Sequence, residues 1–138
     1  MSASSSLKSM AAVLPLSAAA ALAASPEAPA VLQAAQAAAQ GELKVPLGLS
    51  PQTTRVSGTW AFVIAELRQP DGKPFDYSGT PQAEAAREGY LSRQCAALLS
   101  RRDGRWQVLE LRLGATDVAY AGWAAKHRAP AALFSTPP

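Results

Sequence analysis

Arg93-Gln-Cys-Ala-Ala-Leu-Leu-Ser-Arg-Arg-Asp-Gly-Arg-Trp-Gln-Val-Leu-Glu-Leu-Arg-Leu113 is the stretch whose reading decides the fold. Two apolar runs flank Asp103-Gly104. Asp-Gly favours a two-residue type I′ loop, because both central residues need positive φ and the turn twist then matches that of the strands. Such a loop pairs Arg102 with Arg105, Arg101 with Trp106, Ser100 with Gln107, Leu99 with Val108, Leu98 with Leu109 and Ala96 with Leu111. Strand side chains alternate between faces. The register therefore predicts Ala96, Leu98, Leu109, Leu111 and Leu113 on one face and Cys95, Leu99, Arg101, Trp106, Val108, Glu110 and Arg112 on the other. The first face is the better core candidate. The second mixes apolar residues near the turn with charge farther out, so it is half solvated or covered by another element. Arg101 opposite Trp106 can set a guanidinium over the indole, worth about 0.5–1 kcal/mol at an exposed site. Such a pair also serves plain hairpin stability.

N-terminal to the hairpin, residues 55–68 read as a central strand. Val56, Trp60, Phe62 and Ile64 alternate with a second series that also turns apolar in the middle. Gln69-Pro-Asp-Gly-Lys-Pro74 breaks it with turn chemistry. Residues 75–80 are a short extended piece or loop. Residues 81–90 are helix-like, with Pro81 suited to the first turn, Glu84 and Glu88 four apart, and Gly89 ending the run. Residues 24–54 read as an Ala- and Pro-rich arm and connection. Val31 to Gln40 has high helix propensity and Gly41 stands where a helix would end. Its apolar face is almost all alanine, which predicts a weakly packed N-terminal helix. C-terminal to the hairpin, Thr116 or Asp117 is a suitable N-cap for a helix to about His127, with Tyr120, Trp123, Ala124 and His127 on one face. Leu133-Phe134 is expected to fold back and plug the core.

The chain has 138 residues and 49% hydrophobic composition, which suits one globular domain. Residues 1–23 have the form of a secretory signal peptide: a short polar start with Lys8, an apolar run from Ala11 to Leu22, and the small-x-small site Ala21-Leu22-Ala23. Cleavage after Ala23 predicts a periplasmic or secreted product with no integral membrane segment. Without Lys8, 12 basic residues face 10 acidic ones, a balance of about +2 that does not argue for nucleic acid. Cys95 is the only cysteine, so no internal disulfide can form. It reads as a small strand residue rather than a reactive thiol.

Trp60-Ala-Phe-Val63, Asp71-Gly-Lys-Pro74, Ala97-Leu-Leu99, Gly104-Arg-Trp106, Gly114-Ala-Thr-Asp-Val118, Trp123 and Ala129-Pro-Ala-Ala-Leu-Phe134 together resemble a group of small exported bacterial proteins of uncharacterised function. The resemblance spans roughly residues 55–134. It implies a fold and a compartment but no chemistry. The order of strands and helices is also similar to parts of cystatin-like and nuclear-transport-factor-like folds, in which a curved antiparallel sheet wraps a helix.

Known chemistries find little to stand on. A single histidine, His127, and a single cysteine exclude multi-His sites and the usual zinc pairs, so neither metal nor cofactor is expected. No Gly-x-Ser-x-Gly elbow and no phosphate-binding glycine spacing is present. The sequence thus predicts an α+β domain over residues 55–138, with a curved antiparallel sheet of three or more strands packed on a C-terminal helix. The expected function is non-catalytic binding of a protein or small-molecule partner in the cell envelope. The candidate surface is Leu99, Trp106 and Val108 bordered by Arg101, Arg105 and Arg112, provided that the N-terminal arm leaves it open. The alternative is a small enzyme or ligand carrier with Asp117, Tyr120 and His127 in a pocket between sheet and helix.

Overall fold

The structure, a computed structural model, describes residues 26–134. The leader expected over residues 1–23 lies outside the described residues. Helix α1 (Ala28–Leu43) precedes strands β1 (Gly48–Ser57) and β2 (Trp60–Arg68), a short helix α2 (Ala83–Arg87), strands β3 (Gln94–Arg102) and β4 (Arg105–Leu113), a five-residue helix α3 (Trp123–His127) and a closing 3-10 turn (Ala131–Phe134). The strands make one antiparallel sheet in the order β1-β2-β3-β4. The α+β class expected from the sequence is the class observed.

The β3–β4 hairpin closes on Asp103 and Gly104 at φ 53° and 77°, both positive as a type I′ loop requires. Pairing follows the expected register from Arg102 and Arg105 to Leu99 and Val108. There a bulge makes Leu109 an extra residue. Leu98 meets Glu110 rather than Leu109, and Ala96 meets Arg112 rather than Leu111. The expected faces are corrected accordingly. Leu111 and Leu113 share the α1 face with Trp106, Val108, Cys95, Ala97 and Leu99, while Ala96 and Leu98 face Trp123 on the opposite side. The physical reason is charge. An unbroken strand would turn Glu110 and Arg112 toward α1 beside Val108, and desolvating a charge costs several kcal/mol. One disrupted ladder position costs less.

Residues 55–68 are not one strand but most of a second hairpin. Ser57 pairs with Trp60 around Gly58-Thr59. Gly58 has φ +60° and Thr59 does not enter positive φ, the pattern of a type II′ loop with glycine first. β2 is an interior strand, and Ala61, Phe62, Val63, Ala65 and Leu67 are buried. The connection expected before residue 55 is partly ordered structure, since β1 starts at Gly48. Pro51 fits there because β1 is an edge strand with a bulge between Pro51 and Thr53.

α1 belongs to the same packed unit. Val31, Ala35, Ala39 and Leu43, each four residues apart, are fully buried. They form one stripe that lies on the sheet through two apolar clusters. The helix passes the expected stop at Gly41 and ends at Leu43, capped by Lys44 at φ 63°. Burying Leu43 is worth about 1.5–3 kcal/mol, more than the roughly 1 kcal/mol cost of an interior helical glycine.

The opposite sheet face is covered by the C-terminal segment. Phe62, Ala96 and Leu98 bury against Trp123, Ala129 and Leu133. The helix expected from Asp117 begins only at Trp123. Gly122 stands before it at φ 90°, outside helical space, and no side chain caps it. That break lets two rings converge on Phe62, with centroids 4.9 Å away for Tyr120 and 6.4 Å for Trp123. Phe134 approaches the same ring at 4.7 Å, the fold-back expected of the last residues.

Candidate functional site

The hairpin tip gathers the charged half of the expected recognition surface. Arg101 lies over Trp106, with the guanidinium carbon 5.6 Å from the ring centroid. Glu27, just before α1, binds both: its Oε2 accepts from Arg101 at 2.5 Å and its Oε1 accepts from the Trp106 indole N–H at 3.1 Å. The helix start is thereby pinned to the hairpin. Glu27 is 74 residues from Arg101 in sequence, and no local pattern in the chain marks that contact.

Leu99 and Val108 do not belong to this surface. Leu99 is fully buried and Val108 packs on the cluster under α1, so the N-terminal helix covers the apolar half of the expected patch. What stays open is a groove of about 470 Å³ between Ala30, Ala34 and Ala37 of α1 and Gly104, Arg105 and Trp106 of the tip. Arg102 and Arg105 are exposed and face each other across the loop. Arg112 is at the other end of β4 and takes no part in the tip.

The three residues of the alternative pocket do not meet. Tyr120 packs on Phe62. His127 Nε2 lies 2.7 Å from Glu110 Oε2, which also accepts from Lys126 Nζ at 2.7 Å. Hydrogen bonds from Lys126 and His127 hold the Glu110 carboxyl below the usual carboxylate range, so this cluster ties α3 to β4. Asp117 is exposed and caps no helix by its side chain. It lines a different cavity, of about 500 Å³, together with Arg112 and Tyr90.

A third cavity, of about 410 Å³, lies between residues 74–78, α2 and Arg93. Its polar groups are engaged within the chain. Arg93 Nε donates to the Phe75 carbonyl at 2.8 Å and the Tyr77 hydroxyl to the Ser92 carbonyl at 2.6 Å. Asp76 accepts from the Ser78 backbone N–H, which holds its carboxyl low. Burial raises the Tyr77 phenol above its ordinary range. These bonds fasten the long β2–β3 connection.

Cys95 is buried, and burial pushes its thiol up to about 12, far from a nucleophilic thiolate. Among the described residues no cluster of three or more His, Cys, Asp or Glu could hold a metal ion, and no helix is long and apolar enough to cross a membrane. No protein-family model, curated protein or solved structure matches the chain.

Proposed function

We propose that the protein is a non-catalytic exported binding protein whose partner is an acidic, partly apolar peptide segment docking at the β3–β4 tip. The observation that carries this reading is Arg102 opposite Arg105. Like charges directly opposite in a hairpin are destabilising, and among the described residues neither has an ion-pair partner. Asp103, in the loop between them, is beyond ion-pair distance of both. Arg101, by contrast, is matched by Glu27. Carboxylates on a partner would relieve the repulsion while its apolar side chains enter the groove beside Trp106, an anchor pairing typical of interfaces.

A fluorescein-labelled Glu/Leu peptide tests this, with a Lys/Leu peptide of equal length as control. The native chain is expected to bind the acidic peptide in a salt-sensitive way. Arg102→Glu combined with Arg105→Glu should weaken that binding by about tenfold and shift preference to the basic peptide. Equal binding of both peptides to the native chain would remove the docking assignment. Residues 1–23 and the resemblance to small exported proteins support the compartment. Protein recovered from the envelope or medium is expected to begin at Ala24. Recovery there with Met1 intact would end the cleavage reading.

A further inference from the structure

At the open end of the same hairpin, about 25 Å from the tip by strand rise, lies the cavity of about 500 Å³ lined by Tyr90, Leu91, Arg112, Gly114, Asp117 and Val118. We infer that it is a second binding site, independent of the tip, for a small zwitterion with an apolar side group, in the manner of a free amino acid. Three observations point there. The large hydrophobic residues that stand exposed among the described residues are Tyr90 at 67% and Val118 at 60%, and both line this one cavity. Exposed apolar side chains gathered at one concavity mark a contact surface rather than scatter.

The second observation is charge. Arg112 and Asp117 line the same cavity, are both exposed, and among the described residues form no ion pair with each other or with any other group. One unmatched cation and one unmatched anion suit a ligand that carries both signs. The guanidinium takes a carboxylate through paired N–H donors, and the carboxylate takes an ammonium.

The third observation is a fixed floor. Ser92 N–H donates to the Gly114 carbonyl at 2.9 Å and Gly114 N–H to the Gln94 carbonyl at 2.8 Å. The Ser92 hydroxyl donates to the Ala115 carbonyl. The wall from Tyr90 and Leu91 is thereby strapped to the wall from Gly114 to Val118 before any ligand arrives, and preorganisation of this kind lowers the cost of binding. The volume falls within the range of small-molecule sites.

Titration with L-phenylalanine, followed by NMR, tests the assignment against hydrocinnamate, which lacks the ammonium, and phenethylamine, which lacks the carboxylate. Phenylalanine is expected to give saturable shifts at Tyr90, Gly114 and Val118. Each analogue should bind about tenfold more weakly, the scale of one charge-assisted hydrogen bond. Arg112→Gln should bring phenylalanine down to the level of phenethylamine on the native chain, and Asp117→Asn to that of hydrocinnamate. Arg102→Glu with Arg105→Glu should leave phenylalanine binding unchanged, which separates this site from the tip. No saturable shift with phenylalanine, equal affinity for hydrocinnamate, or indifference to both cavity substitutions would each overturn the inference.

Discussion

Phe62→Ala is expected to destabilise the protein by about 3–5 kcal/mol, the range for deleting a buried aromatic side chain. Phe62 is buried on the sheet face away from α1, and three rings lean on it: Tyr120, Trp123 and Phe134. Those rings come from a segment with little regular structure of its own, since α3 has five residues and the closing 3-10 turn four. Their burial against Phe62 and Leu98 holds residues 120–134 to the sheet. The loss should therefore be uneven. Thermal unfolding is expected to fall by roughly 10–20 °C, and amide exchange should accelerate more in residues 123–134 than in α1, because local opening follows local apolar contact. A loss under about 1 kcal/mol, or equal acceleration in both regions, would show that the cluster does not hold the C-terminal segment.

Gly114→Ala is expected to cost about 2–4 kcal/mol, whereas Gly89→Ala should cost only about 1 kcal/mol. Both glycines have positive φ, +82° and +81°, and a residue with a Cβ is disfavoured there by roughly 1–2 kcal/mol. They differ in space. A Cβ at Gly89 meets nothing within 4 Å, whereas at Gly114 it would lie 2.8 Å from Leu91 Cδ2 and 3.1 Å from the Tyr77 hydroxyl oxygen. Gly114 cannot easily retreat, since its N–H and C=O both hold backbone bonds. Overpacking of this kind adds typically 1–3 kcal/mol. Urea unfolding of the two variants side by side measures the difference, and equal losses would mean that Leu91 and Tyr77 yield without cost.

Turn chemistry made half of the sheet legible in the sequence. Asp103-Gly104 states its loop type, and the pairs nearest it follow without further information. The bulge is hidden because Val108 and Leu109 are both apolar, so the strand pattern reads acceptably in either phase around them. The Gly58-Thr59 loop is hidden for a similar reason. Gly-Thr is a weaker hairpin signal than Asp-Gly, and the alternation of Val56, Trp60, Phe62 and Ile64 runs straight through it. At the tip, Arg101, Trp106 and Arg105 could be named from the register, whereas Glu27 could not, being fixed only by packing of the remote α1. Arg112, Asp117 and Tyr90 illustrate the same limit. Arg112 and Asp117 can be named from the sequence and Tyr90 is only the end of a helix-like run, yet it takes the return of the chain past Gly114 to put them around one cavity.

The additional residue at Leu109 acts as a parity setting for β4. With it, the strand's acids and bases beyond that point look away from the long helix, so Glu110 can anchor α3 and Arg112 can reach the cavity rim. Removing Leu109 would leave Leu98 opposite Glu110 and keep the facing of the last four residues, whereas pairing Leu109 in an unbroken ladder would exchange odd for even there and send the charges beneath α1. The bulge is thus the one place where β4 can lose a residue with both faces intact, and related chains that keep this architecture should show a one-residue gap there more readily than elsewhere in the strand.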